Sequence, residues 1–290
     1  MPYSHNSLAT RLVAAAFISS ALLLTGCGIA VDLAKESVVS LTERTGREHF
    51  TLAGSLPANF KLSAVAHYQV LDVEKCQVRD FTSSGTRTRV MGAEYDTALE
   101  AHPHEFSLQI PLTRHIGLCH AELSRVRLNV TGYYGEENWQ KDGHGGGIAV
   151  VDTRPAEAPR FAEDGTMLLR GMCGWMFQLS KASSRKGQVS KLLHCSQPDE
   201  NWSQSEVISE RRGLGVTVGR DELADKTIVL DIREDSNEEP YYRDTWIQFP
   251  EGWKPCEPKP GGWISCQEPP VFKTFQMNGQ ECTVYPNCTE

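Results

Sequence analysis

The sequence has no Cys-x-x-Cys pair, no Gly-x-Ser-x-Gly elbow, no phosphate-binding glycine loop, no dinucleotide fingerprint and no His-Glu-x-x-His string. These absences remove the usual sequence signals of structural zinc, of an α/β-hydrolase nucleophile, of nucleotide binding and of a zinc peptidase. There is no basic cluster either, and the formal charge over 290 residues is −8. Such a chain offers little to nucleic-acid phosphates or to an anionic lipid surface. Long hydrophobic runs are scarce. The run from Leu12 to Leu24 holds thirteen residues, no charge and two serines. At 1.5 Å per residue it reaches about 20 Å as a helix, short of a bilayer core of roughly 30 Å.

What is present begins with that run. Arg11 precedes it, and Leu24-Thr25-Gly26-Cys27 closes it. A positive flank, a short apolar stretch and small residues make the layout of a secretory signal. The closing tetrapeptide resembles the lipobox of bacterial lipoproteins; an ordinary signal that happens to end at a cysteine is the alternative. The resemblance implies a diacylglyceryl thioether on Cys27, cleavage before it and acylation of the new amino terminus. Three acyl chains exceed the two signals that stable anchoring takes. Gly28 stands where inner-membrane lipoproteins often carry Asp, so the resemblance further implies the outer membrane, with the globular part facing the periplasm.

Removal of residues 1–26 leaves 264 residues and, with Arg11 gone, a side-chain charge of −9. That length favours two domains. Beyond Cys27 lie eight cysteines: Cys76, Cys119, Cys173, Cys195, Cys256, Cys266, Cys282 and Cys288. An even number in an oxidising compartment reads as a disulfide framework, although eight cysteines allow 105 connectivities. Two cysteines fall in the first half, two flank one hairpin and four lie in the tail. This distribution leads to an expectation of sequential bonds: Cys76–Cys119, Cys173–Cys195, Cys256–Cys266 and Cys282–Cys288.

Along the chain, Val31, Ala34, Val38 and Leu41 have helical spacing, or mark a simple tether. Strand signals start at His49. Leu62, Ala64, Ala66, Tyr68 and Val70 alternate with mostly polar neighbours, as do Phe106 to Leu112 and Val126 to Val130. Period two is the mark of a strand with one buried face. Pro155 to Pro159 reads as a stiff linker. Further strands are expected at Trp175–Leu179, Leu214–Val218, Ile228–Ile232 and Trp246–Phe249, with a helical turn at Asp221–Asp225. From Pro250 the prolines forbid long regular elements, while four cysteines and Trp253, Trp263, Phe272 and Tyr285 favour a tail stapled to the body. The expected fold is mainly β: two antiparallel sandwich-like domains with a disulfide-stapled, proline-rich C-terminal tail. The divisions are 1–26 signal, 27–47 lipidated terminus and tether, 48–154 first domain, 155–163 linker and 164–290 second domain.

Three constellations could carry function. His144-Gly145-Gly146-Gly147 matches the string that contributes backbone N–H groups to the oxyanion hole of some lipases. Glycines in a loop between strands explain it equally. His102, His104, His115 and His120 could offer imidazoles to a metal, but convergence of three or four ligands is invisible in sequence, and exposed loop histidines are the expectation. No cofactor and no metal is expected. The acidic run Glu234, Asp235, Glu238 and Glu239 is either a solvated hairpin tip or a docking patch for a basic partner. Trp202, Trp246 and Trp253 are candidate interface anchors or core residues.

A lipobox, a disulfide-bearing periplasmic body and an acidic surface together resemble immunity lipoproteins that guard bacteria against type VI secretion phospholipase effectors. That resemblance implies a non-enzymatic inhibitor. It would bind a protein toxin or effector, with a phospholipase as the suspected partner, and touch the membrane through its lipid anchor only. The alternatives are an envelope hydrolase built on His144 and its glycines, and a structural envelope lipoprotein.

Overall fold

The computed structural model describes residues 42–80, 85–179, 188–262 and 265–288. The expected signal, Cys27 and the expected tether up to residue 41 lie outside the described residues, as do Trp263 and most of the polar stretch after Leu179. The chain is mainly β, in several sheets. Its described residues form two compact units that interleave along the sequence.

The smaller unit takes residues up to 47, 68–91 and 111–122. Thr113–Ile116 turns back through Gly117, φ +60°, onto the start of the Cys119–Tyr133 strand, and Arg44–Thr45 pairs with its other edge. Gln77–Arg79 and Thr86–Thr88 form a separate ribbon. Cys76 and Cys119 are bonded, and Cys119 packs against the buried Met91. Tyr68 is buried but donates its hydroxyl to the Pro111 carbonyl at 2.9 Å, which leaves no unpaired phenol in the core.

The larger unit takes residues 48–67, 92–110 and everything from Leu123. One sheet places in order Arg212–Gly213, Ser190–Gln197, Thr166–Gln178, Thr227–Pro240, His49–Leu56 and His104–Pro111. The other joins Lys141–Val151 to Cys119–Tyr133 on one side and to Gly215–Gly219 on the other. The alternation read from sequence becomes burial. Leu62, Ala64, Ala66, Val126, Leu128, Val130, Ile228 and Leu230 are fully buried, and their chain neighbours are not. Cys173 and Cys195 sit opposite each other in the register and are bonded.

Two expectations change here. Among the described residues, parallel ladders join Thr166–Gln178 to Thr227–Pro240, that strand to His49–Leu56, and Lys141–Val151 to Gly215–Gly219. The last two pair residues on opposite sides of the 155–163 segment, so strand pairing does not divide the chain there. Parallel neighbours need crossover connections, and 155–163 is part of one. Arg154 fastens its start, bonding the Ala158 carbonyl at 2.6 Å and pairing with Glu222 at 3.0 Å. Alternation reveals which face is buried but not the direction of the next strand, so an antiparallel reading is open to this error. Asp221–Asp225 forms turns, with Leu223 buried beneath them.

The tail is stapled as expected, with bonds Cys256–Cys266 and Cys282–Cys288. Between its prolines it makes three short strands beyond Trp246–Phe249: Gly252–Pro255, Phe275–Met277 and Gln280–Cys282. Asn278 and Gly279 connect the last two with φ of 52° and 79°, the positive pair that suits a two-residue hairpin turn. Phe177, Val189, Trp246, Phe275, Cys282 and Tyr285 form one buried cluster. The tail thus contributes Phe275 and Tyr285 to the core of the unit.

Candidate functional site

The acidic run does not lie at a hairpin tip. It occupies the second half of the Thr227–Pro240 strand, opposite Cys173 to Phe177. Gly174 pairs with Asp235 and Met176 with Glu239, so four steps on one strand face two on the other. The excess forms a bulge. Each carboxylate of the run has an intramolecular partner. Glu234 accepts from the Trp175 indole N–H at 2.9 Å. Asp235 accepts from the Asn237 backbone N–H at 2.9 Å. Glu239 pairs with Arg243 at 2.7 Å and with Arg211 at 3.6 Å.

Glu238 is held from two other segments. The Lys191 ammonium binds one of its oxygens and the Tyr285 hydroxyl donates to the other. Burial, and then the adjacent Glu238 charge, push the Tyr285 phenol far above its ordinary range, so it stays protonated and can donate. Lys191 also lies 5.7 Å from the Tyr134 ring centroid and 5.9 Å from that of Tyr285. Glu238 therefore ties the Ser190–Gln197 strand to the tail through two side chains. As a freely solvated docking patch the run is weaker than its charge suggests.

His144 to Gly147 lies inside the Lys141–Val151 strand, in register with Val130 to Arg127, and not in a loop. The Gly147 N–H already donates to the Leu214 carbonyl at 3.0 Å. Packing explains part of the string. A Cβ on Gly146 would stand 2.3 Å from the Leu214 carbonyl oxygen, and one on Gly215 would stand 2.5 Å from that of Gly147. Only hydrogen at these positions lets the two strands approach. The His144 ring rests against His194, with centroids 4.8 Å apart. Burial holds both imidazoles below their ordinary pKa, and for His194 the neighbouring His144 and Arg211 act in the same direction.

The four candidate metal histidines are dispersed. His115 and His120 face each other across their ladder, with Nδ1 atoms 2.7 Å apart. The Nδ1 atoms of His102 and His104 lie near backbone carbonyls of the same turn, those of Pro103 and His102. Among the described residues no three metal-ligating side chains converge.

The tryptophans proposed as anchors are occupied. Trp246 is buried edge-on against Phe177 at 4.8 Å, Trp253 packs on the same cluster, and Trp202 lies under the Arg233 guanidinium at 3.6 Å. One exposed aromatic surface lies elsewhere. Tyr241 and Tyr242 are 42% and 37% exposed with ring centroids 4.6 Å apart, and Val207 is 50% exposed. They line a shallow cleft of about 550 Å³ with Ile208 and Pro240, bordered by Glu206, Arg243 and Asp244. The sequence carries a signal for this surface that its strand pattern does not use. Two consecutive tyrosines after Pro240 cannot both face inward from an extended chain. No protein-family model, curated protein or solved structure matches this chain.

Proposed function

We propose that this chain is a lipid-anchored, periplasm-facing protein of the outer membrane that binds and inhibits a protein partner. The partner is a toxin or effector, with a type VI secretion phospholipase as the specific candidate. The lipobox at Cys27 supports the anchor. The exposed Tyr241–Tyr242 pair beside Val207 is the observation that carries the binding role. Tyrosine is enriched among residues that dominate interface energies, because it supplies large rigid area and a polar end. The acidic residues Glu206 and Asp244 at its border, with a whole-chain charge of −8, suit a basic partner and would accelerate encounter. Of the original acidic run, Asp235 is bonded to a backbone N–H two residues away rather than to another segment, and it remains a contact candidate.

The test is protection of cells that receive the effector. Cells expressing the full chain should survive, and cells expressing a Tyr241→Ala, Tyr242→Ala double variant at the same level should lose protection. Survival of the double variant at wild-type level would exclude this surface. Failure of the wild-type chain to protect against, or to bind, phospholipase effectors would overturn the immunity reading.

A further inference from the structure

The larger unit contains a second cleft, separate in its lining from the tyrosine surface. Its volume is about 770 Å³, within the range of roughly 300–1,000 Å³ found for small-molecule sites. One wall is the turn from Tyr134 to Gln140, the other is Gln276 to Gly279, and Gln188, Lys191 and Tyr285 complete the lining. The geometry points to a saccharide-binding site, with Trp139 as its stacking platform.

Four observations carry this. First, Trp139 is 45% exposed yet held in place: its ring meets Tyr134 edge-on at 6.3 Å, and Tyr134 meets the buried Trp175 edge-on at 5.2 Å. An aromatic face is negative at its centre and accepts the C–H face of a pyranose. Second, the polar groups of the lining are mostly amides and carboxylates: Gln140, Gln188, Gln276, Asn278, Glu136 and Glu137. Amides both donate and accept, and so match hydroxyl groups, which do the same.

Third, the charges disfavour anions. Lys191 is the one cation among the described lining residues, and Glu238 holds its ammonium, while Glu136 and Glu137 add negative charge. A phosphate or a nucleotide would meet no free cation there. Fourth, both walls are fixed before any ligand arrives. In the turn, the Glu137 N–H donates to the Gln140 side chain at 3.0 Å, the Gln140 N–H to the Glu137 carbonyl at 2.8 Å, and the Tyr134 N–H to the Gln140 carbonyl at 2.9 Å. Opposite, Gln188 bridges to Gln276. A preformed site avoids the ordering cost that weakens binding by mobile loops.

The experiment is calorimetric titration of the purified full-length chain in detergent with chitotetraose, cellotetraose and maltotetraose, followed in parallel by tryptophan fluorescence. At least one of the three should bind saturably. Trp139→Ala should weaken that binding about tenfold, the size expected for losing one stacked ring. Trp139→Phe, which keeps a stacking face, should bind within about threefold of wild type. Gln276→Ala should weaken binding several-fold, and the Tyr241→Ala, Tyr242→Ala double variant should bind as wild type does. Saturable binding to none of the three sugars would overturn the inference. So would binding unaffected by both Trp139→Ala and Gln276→Ala. If Trp139→Ala fails to fold, Gln276→Ala and Trp139→Phe decide in its place.

Discussion

The imidazoles of His144 and His194 face each other between two strands, with centroids 4.8 Å apart and ring planes inclined by 59°. Nδ1 of His194 is buried without a hydrogen-bond partner. Asp142, whose carboxylate accepts from the Leu193 N–H at 2.8 Å, and Arg211 are the charged groups that act on the pair. Both rings titrate below the ordinary histidine value, first because of burial. In the unfolded chain they take up protons as pH falls through about 6.5. In the folded chain they resist until lower pH. The unfolded state then binds more protons, and stability must fall with pH in that window. His67, depressed by burial and then by Arg125 and Arg127, has the same sign. Urea midpoints should therefore decline between pH 7.5 and pH 5. His194→Leu should flatten that decline, and an unchanged profile would refute the assignment.

Glu238 is a framework residue before it is a contact residue. Tyr285→Phe removes one donor to Glu238 and should cost about 1–2 kcal/mol. Tyr285→Ala also empties part of the aromatic cluster and should cost about 3–5 kcal/mol. Equilibrium urea unfolding gives both numbers. Glu238→Gln should likewise lower stability, so slower partner association in that variant would not by itself report charge steering. A Tyr285→Phe variant as stable as wild type would show that the Glu238 bond contributes nothing.

The glycines of the 144–147 string separate by neighbourhood. A Cβ at Gly145 meets nothing within 4 Å, whereas one at Gly146 strikes the Leu214 carbonyl. Gly145→Ala should fall within about 0.5 kcal/mol of wild type, while Gly146→Ala should destabilise by about 1–3 kcal/mol. Melting temperatures of the two variants check this. Equal effects would mean that close approach of the Gly215–Gly219 strand is not why glycine stands at 146.

Loop closure ranks the disulfides. Cys76–Cys119 spans 43 residues and Cys282–Cys288 spans 6. In the chain-entropy model the first is worth about 4 kcal/mol and the second about 2 kcal/mol. Paired Cys→Ala variants should lose stability in that order, as measured by denaturant unfolding. The reverse order would mean that packing around the Cys282–Cys288 bond outweighs its short loop.

By itself the sequence determined the longer alternating strands and their buried faces, and among 105 connectivities it favoured the four disulfides that form. Period-two alternation at Leu62 to Tyr68 or Val126 to Val130 has one physical outcome in water, a strand with one face inside. Cysteines grouped by segment left short bonds as the simplest pairing, and those are the bonds formed. Which strands become neighbours was decided only by the tertiary structure. His49–Leu56 lies parallel to Thr227–Pro240 across more than 170 residues of chain, and an alternating pattern does not record the direction or identity of a neighbour. The same limit governed the candidate sites. The acidic run reads as solvated until Trp175, Lys191 and Tyr285 are brought to it by strand register and by the folded tail. Trp139 reads like any other tryptophan until Tyr134 and Trp175 fill the space behind it and leave its outer face in water. Exposure is a property of what packs nearby, and Trp175, Lys191 and Tyr285 lie far in sequence from the residues they support.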